Sequence, residues 1–134
     1  MLVKHAMTHP AICIDENTTI DETINIMREK NVGFLPITKN DYLIGVITDR
    51  DILLRGQSLK RTTKISQVMT NDIICTIDEH SSLEEAGKLM SKYLVRRLVV
   101  THDDLIKGVI TSKDLLNDIS LIPYIYDTYN NIRY

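Results

Sequence analysis

Gly45-Val46-Ile47-Thr48-Asp49-Arg50-Asp51 recurs 63 positions later as Gly108-Val109-Ile110-Thr111-Ser112-Lys113-Asp114, with five of seven letters unchanged. The match extends outward. Val3 to Cys13 aligns loosely with Ile65 to Cys75 at an offset of 62, placing Ala6-Met7-Thr8 on Val68-Met69-Thr70 and Cys13 on Cys75. After one extra residue in the second copy, Ile14 meets Ile77, Asp15 meets Asp78, Ile20 meets Leu83, Met27 meets Met90 and Leu35 meets Leu98. One unit is therefore written twice, and a repeat of this kind settles the architecture before any single motif does. The copies run over 1–55 and 65–117. The polar stretch 56–64 connects them, and 118–134 is an apolar, tyrosine-rich tail without a counterpart.

Each copy reads as strand, helix, strand, strand, helix. Ile12-Cys13-Ile14 is a short strand candidate. Thr19 with Glu22, and Ser82 with Glu85, have the spacing of a capping box. Ile20, Thr23, Ile24 and Met27 follow at helical spacing, as do Leu83, Ala86, Gly87 and Met90. Two strands are expected over 33–38 and 42–48, with Lys39-Asn40-Asp41 as the hairpin turn. Pro36 points to an edge position or a strand end. A second helix is expected from Asp49 to Arg55. Two such units make an α/β (α+β) domain with small sheets and flanking helices.

Composition bounds the function. The chain has 134 residues, 43% apolar and 25% charged, with a net charge of −2. These values fit one globular domain. The charge recruits neither nucleic acid nor an acidic membrane surface. The basic cluster Lys60, Arg61, Lys64 reads as a solvated connector. No apolar run reaches the length of a membrane span, and Met1-Leu2-Val3-Lys4-His5 lacks a signal-peptide pattern. Two cysteines make no disulfide framework. The expectation is a cytoplasmic protein.

Val-x-x-Ala-Met-Thr at 3–8 and Ile-x-x-Val-Met-Thr at 65–70 each precede a β-α-β-β-α unit closing in Gly-Val-Ile-Thr-x-x-Asp, in tandem. This order resembles a tandem pair of CBS domains, the Bateman module, over residues 1–117. The resemblance implies a pseudo-two-fold pair standing alone, which senses an adenosine-containing ligand (AMP, ADP, ATP or S-adenosylmethionine) in the cleft between repeats. It implies regulation of an unidentified partner protein through conformation or assembly, and a homodimer. A structural or oligomerisation module with empty pockets is the alternative.

Thr48-x-x-Asp51 and Thr111-x-x-Asp114 carry two readings. Both have capping-box spacing. Both also place N–H groups and a carboxylate where a phosphate and a ribose would sit, and the resemblance assigns this Thr and this Asp to the ligand. It likewise implies that Arg96 and Arg97 reach phosphates, which suits the planar guanidinium; a solvated strand end is the plain reading. Gly33 and Phe34 hold the equivalent positions in the first copy. Gly33 would let a base approach, and Phe34 would cover a base or belong to the core. Arg50 and Lys113 could reach phosphates from exposed helix starts. Ile12, Cys13, Ile74 and Cys75 fall where the family lines its adenine pocket.

No motif for nucleophilic, metallopeptidase or P-loop chemistry occurs, so no catalysis and no required cofactor are expected. His5 and His9 lie four apart, but Pro10 follows and no third ligand is near, so no metal site is assigned. Cys13 and Cys75 read as inert structural thiols. The tail, with Tyr124, Tyr126, Tyr129, Tyr134, Ile119, Leu121, Ile122, Ile125 and Ile132, is expected to pack on the module or on a second subunit.

Overall fold

The computed structural model describes residues 1–72 and 75–129. The chain runs α1 (Val3–Ala6), β1 (Ile14–Asp15), α2 (Ile20–Lys30), β2 (Phe34–Lys39), β3 (Tyr42–Thr48), α3 (Asp49–Arg55), a 3-10 turn (Ile65–Gln67), β4 (Thr76–Asp78), α4 (Leu83–Tyr93), β5 (Arg97–His102), β6 (Leu105–Thr111), 3-10 turns at Ser112–Asn117 and Ile119–Leu121, and α5 (Ile122–Tyr129). The strands form two small three-stranded sheets, ordered β1-β2-β3 and β4-β5-β6. In each, the first pair is parallel and the second antiparallel. A parallel pair needs a crossover, which α2 and α4 supply; the antiparallel pair needs only a hairpin.

The hairpins turn on two residues with positive φ, Asn40 (50°) and Asp41 (68°), then Asp103 (50°) and Asp104 (65°). Asn and Asp tolerate this region, and its twist matches that of the flanking strands. At the start of α2, Thr19 and Glu22 complete their reciprocal capping box. At α4, Ser82 accepts from the Glu85 N–H at 3.1 Å. Of the expected apolar stripes, Ile20, Thr23 and Met27 on α2 are buried and Ile24 is half-buried, while Leu83, Ala86, Gly87 and Met90 on α4 are all buried.

Three sequence expectations need correction. The first strand begins at Ile14, so Ile12 and Cys13 lie outside it. Pro36 is neither at an edge nor at a strand end; it lies within β2, the central strand. The two facts share one cause. In the second sheet Val99 N–H donates to Cys75 O at 3.1 Å, extending the β4 side of the ladder. Pro36 occupies the position of Val99 and has no N–H, so the first ladder stops short. Across the hairpin Pro36 costs nothing, because Val46 opposite exchanges its bonds with Thr70 instead.

The third correction concerns the last helix of the second copy, which is a 3-10 turn over Ser112–Asn117 and not an α-helix. In α3, Asp51 pairs with Arg55 one turn on, at 3.0 Å. The residue four after Asp114 is Asp118, and like charges at that spacing oppose an α-turn. Asp118 N–H donates to Leu115 O, three residues back, and the Asp118 carboxylate caps Ser120.

The chain divides into two compact units, one spanning Ile12–Ile74, the other joining Met1–Ala11 to the residues from Cys75 onward. Each unit pairs the body of one copy with the opening segment of the other. In the first, Thr70 exchanges backbone bonds with Val46 on β3, and Ile65 and Val68 enter a core with Ile14, Ile20, Met27, Leu35, Ile37 and Ile47. In the second, Thr8 exchanges bonds with Val109 on β6, and Val3 is fully buried. The crossings explain the glycine of Gly-Val-Ile-Thr. A Cβ on Gly45 would stand 2.6 Å from Met69 Sδ and 3.1 Å from Thr70 O; on Gly108 it would stand 2.5 Å from Thr8 O. The Met-Thr motif and the glycine are two halves of one contact.

The units also differ in what covers the crossover helix. In the second, α5 lies on α4, with the Tyr124 ring against Gly87 and with Leu121 and Ile125 buried. The described part of the tail therefore packs on the module, one of the two places expected for it. Ile132 and Tyr134 lie outside the described residues, as do the side chains of Ile119, Tyr126 and Tyr129. In the first, the position of Gly87 is Ile24. A hollow of about 250 Å³ remains there, lined by residues including Ile20, Ile24, Ile52, Leu53 and Leu59.

Candidate nucleotide site

Strand register places the expected residues together within each unit. In the second unit Arg97 lies opposite Thr111, and Ser112 N–H donates to Arg96 O at 2.8 Å. Both arginines thus meet the start of the Thr111–Asp114 turn. In the first, Phe34 lies opposite Thr48, and Asp49 N–H donates to Gly33 O at 3.0 Å. The backbones match; the side chains are exchanged as sets. A Cβ on Gly33 would come 2.9 Å from Asp49 Oδ2. Arginine at the matching position 96 is accompanied by the smaller Ser112.

Both Thr-x-x-Asp motifs form capping boxes. Thr48 N–H donates to Asp51 Oδ2 at 3.0 Å, and Asp51 N–H to Thr48 Oγ1 at 3.1 Å. Thr111 N–H donates to Asp114 Oδ2 at 2.8 Å, joined by the Thr111 hydroxyl at 3.1 Å; Asp114 N–H returns to Thr111 Oγ1 at 3.4 Å. The capping reading is therefore realised in both copies. The aspartates nevertheless differ. Asp51 also accepts from the Thr70 hydroxyl at 3.3 Å and pairs with Arg55. Arg55 in turn donates to Val68 O at 2.6 Å. Asp51 is thus a knot between α3 and the segment that follows the connector. In the second copy the place of Arg55 is taken by Asp118, four residues after Asp114.

Arg96 Nε is buried with no hydrogen-bond partner among the described residues. Buried guanidinium N–H groups ordinarily find an acceptor. Arg50 and Lys113 are exposed at their helix starts, and Phe34 is buried. Ile12 is exposed, Cys75 is buried, and Ile74 lies outside the described residues. Cys13 and Cys75 do not share an environment. Cys13 is exposed at the surface, yet desolvation of its sulfur raises its pKa. With the extra residue placed before β4, the structural counterpart of Cys13 is Thr76.

One cluster was not read from the sequence. Asp78, His80 and His102 gather at the far end of β5 from the arginines. Asp78 follows Ile77 in register with Thr101, which puts His102 beside it. Bonding from His80 N–H and then from His102 lowers the Asp78 pKa, and the Asp78 bond raises that of His102. The sequence signal was Asp-x-His at 78–80; the third member appears only once β4 and β5 are paired in parallel. No helix among the described residues is long and apolar enough to cross a membrane.

A family model described as CBS domain matches residues 3–57 and again 65–121. The chain belongs to the CBS-domain family, as a tandem pair. It is 34% identical over 115 residues to CBS domain-containing protein YhcV of Bacillus subtilis, covering 84% of this chain and 81% of that protein. It is 32% identical over 115 residues to Hypoxic response protein 1 of Mycobacterium tuberculosis, covering 84% and 80%. The crystal structure of Hypoxic Response Protein I with two coordinated zinc ions superposes with a TM-score of 0.79 at 27% identity, over 89% of this chain and 99% of that one. The CBS domain pair of protein MJ0100, in complex with methylthioadenosine and S-adenosyl-L-methionine, superposes with a TM-score of 0.74 at 28% identity, over 87% and 94%.

Proposed function

We propose that this CBS pair is a regulatory sensor of an adenosine-containing ligand, AMP, ADP, ATP or S-adenosylmethionine, and that it signals to a partner protein through conformation or assembly. The observation that carries the reading is the register of β5 on β6. It brings two arginines, one with a buried and unpartnered Nε, to the turn that holds Thr111 and Asp114. Asp114 anchors the ribose, the N–H groups of the turn and the two guanidinium groups take phosphate, and Cys75 borders the base. Adenosyl ligands in the MJ0100 structure support this chemistry. Asp51, with Thr48, is assigned chiefly to structure, because Arg55 and Thr70 already hold its carboxylate.

Thermal unfolding with AMP, ADP, ATP and S-adenosylmethionine tests the proposal. A ligand that binds only the native state at a hundred times its Kd adds about 2.7 kcal/mol. No stabilisation by any of the four would favour the reading as an assembly module. That second reading has its own support in Leu53 and Leu54, 66% and 64% exposed on α3. Apolar surface of this kind favours association, and a homodimer through α3 fits it. Light scattering should give a dimer mass for the native chain and a monomer mass for the L53E/L54E variant.

A further inference from the structure

We propose that Asp78, His80 and His102 form a binding site for a transition-metal ion of the zinc type, separate from the nucleotide site. In the sequence, only His5 and His9 have a spacing that suggests a metal. The three residues come from two places. Asp78 ends β4 and His80 follows in the turn, while His102 ends the neighbouring β5. His80 Nδ1 stands 3.3 Å from Asp78 Oδ1, and His102 Nδ1 stands 3.1 Å from Asp78 Oδ2. The candidate ligand atoms of all three lie within 4.8 Å of one another. Ligands about 2.0–2.1 Å from a tetrahedral ion are about 3.3 Å apart, so modest closure completes three corners and leaves the fourth to water. The imidazoles meet edge to face, centroids 4.8 Å apart at 73°, and present the same nitrogen to one carboxylate.

Two further observations bear on the reading. His102 turns its other nitrogen, Nε2, toward Asp103 Oδ2 at 3.5 Å. A carboxylate behind the imidazole is the usual support of a metal-bound histidine. The first copy supplies an internal control. There the same turn closes with Asn17 N–H on Asp15 Oδ1 at 2.8 Å, as His80 N–H closes on Asp78 Oδ1 at 2.8 Å. The counterparts of His80 and His102 are Asn17 and Lys39, neither of which suits such an ion. The turn therefore needs no histidine, and only the second copy carries histidine at these two positions. Two imidazoles and a carboxylate suit zinc, cobalt, nickel or copper over magnesium or calcium. The site lies at the opposite end of β5 from Arg97, about 17 Å away at the rise of a strand.

The full chain is titrated calorimetrically with Zn2+, and separately with Co2+ while its visible absorption is followed. One equivalent of zinc and a cobalt spectrum of low coordination number are expected. The H80N/H102K variant carries the first copy's own residues, which keep the turn; circular dichroism checks its fold. It should lose the stoichiometric site. D103N should weaken binding by about tenfold or more. The reciprocal N17H/K39H variant should raise the stoichiometry from one to two. Absence of zinc binding by the native chain overturns the proposal, as does binding that H80N/H102K leaves intact, which would place the ion elsewhere.

Discussion

The two copies share their backbone plan and differ in how each uses it. In the first, the aspartate of the Thr-x-x-Asp turn is tied to Arg55 and Thr70, the strand end carries Gly33-Phe34, and the β-turn carries Asn17. In the second, the same places hold an aspartate without that arginine, then Arg96-Arg97, then His80. On the functional reading proposed above, the first copy chiefly holds the fold while the second carries the groups that ligands would meet. The contrast teaches that a shared motif identifies a scaffold, and that the neighbours of the motif decide its chemistry.

The largest effect expected from pressing on this contrast is at the crossing glycines. Gly108→Ala would drive a Cβ into the Thr8 backbone carbonyl, whereas at Gly45 the nearest atom is the movable Met69 sulfur. Overpacking costs about 1–3 kcal/mol; Gly108→Ala should fall at the top of that range and Gly45→Ala near the bottom. Urea unfolding of both variants measures this, and equal losses would remove the difference between the crossings.

The aspartates should separate next. Asp114→Ala should weaken nucleotide binding by about 1.5–3 kcal/mol, the scale of a charged hydrogen bond, with about 1 kcal/mol lost from the fold for the cap. Asp51→Ala should do the reverse, lowering stability by about 1–2 kcal/mol and changing affinity less. Calorimetric titration and thermal melts of the pair decide it. The same pattern in both variants would abolish the division of labour.

Third comes the arginine pair. Replacing Arg96 and Arg97 by Ala should cost ATP about tenfold in affinity and adenosine much less, since the charged bonds go to phosphate. It should also flatten the dependence of ATP binding on salt, because screening acts on charge pairs. Equal losses for ATP and adenosine would mean that the arginines serve the shape of the site.

The smallest expected effect is a gain. Both crossover helices end in a left-handed residue, Asn31 in the first copy and Leu94 in the second. Asparagine tolerates this conformation and leucine does not. Leu94→Asn should stabilise the chain by about 1 kcal/mol, the low end of left-handed strain. A lower melting temperature would show that packing of the Leu94 side chain outweighs its backbone.

Much of this was legible in the sequence because its causes are local. Thr19-x-x-Glu22, the Asn40-Asp41 turn and the spacing Leu83, Ala86, Gly87, Met90 each specify structure within a few residues. The twofold repeat then supplied the architecture. Where causes are long-range, reading failed. Proline lacks a donor, which points to an edge or a strand end; Pro36 sits in the central strand, and the ladder on its silent side stops short of it. The last helix of the second copy is the exception: it is 3-10, and the signal against an α-turn, Asp118 in the place of Arg55, is local. For the candidate site, Arg97 and Thr111 meet through hairpin register, which the sequence could support. The His102 contact depends on parallel pairing across a helix, which it could not.

The exchange of opening segments has a consequence for how the protein is made. Thr70 pairs with Val46 only 24 residues away, whereas Thr8 must wait for Val109, 101 residues later. Through unfolded chain, the longer closure costs about 1.3 kcal/mol more in entropy. On the ribosome the unit over Ile12–Ile74 has all its parts early, while the opening segment finds its first partners at Glu79–Leu83 and Thr8 must wait for Val109 on β6. Two bodies of almost identical plan are thus assembled on different clocks, and an N-terminal truncation would disable the one made last.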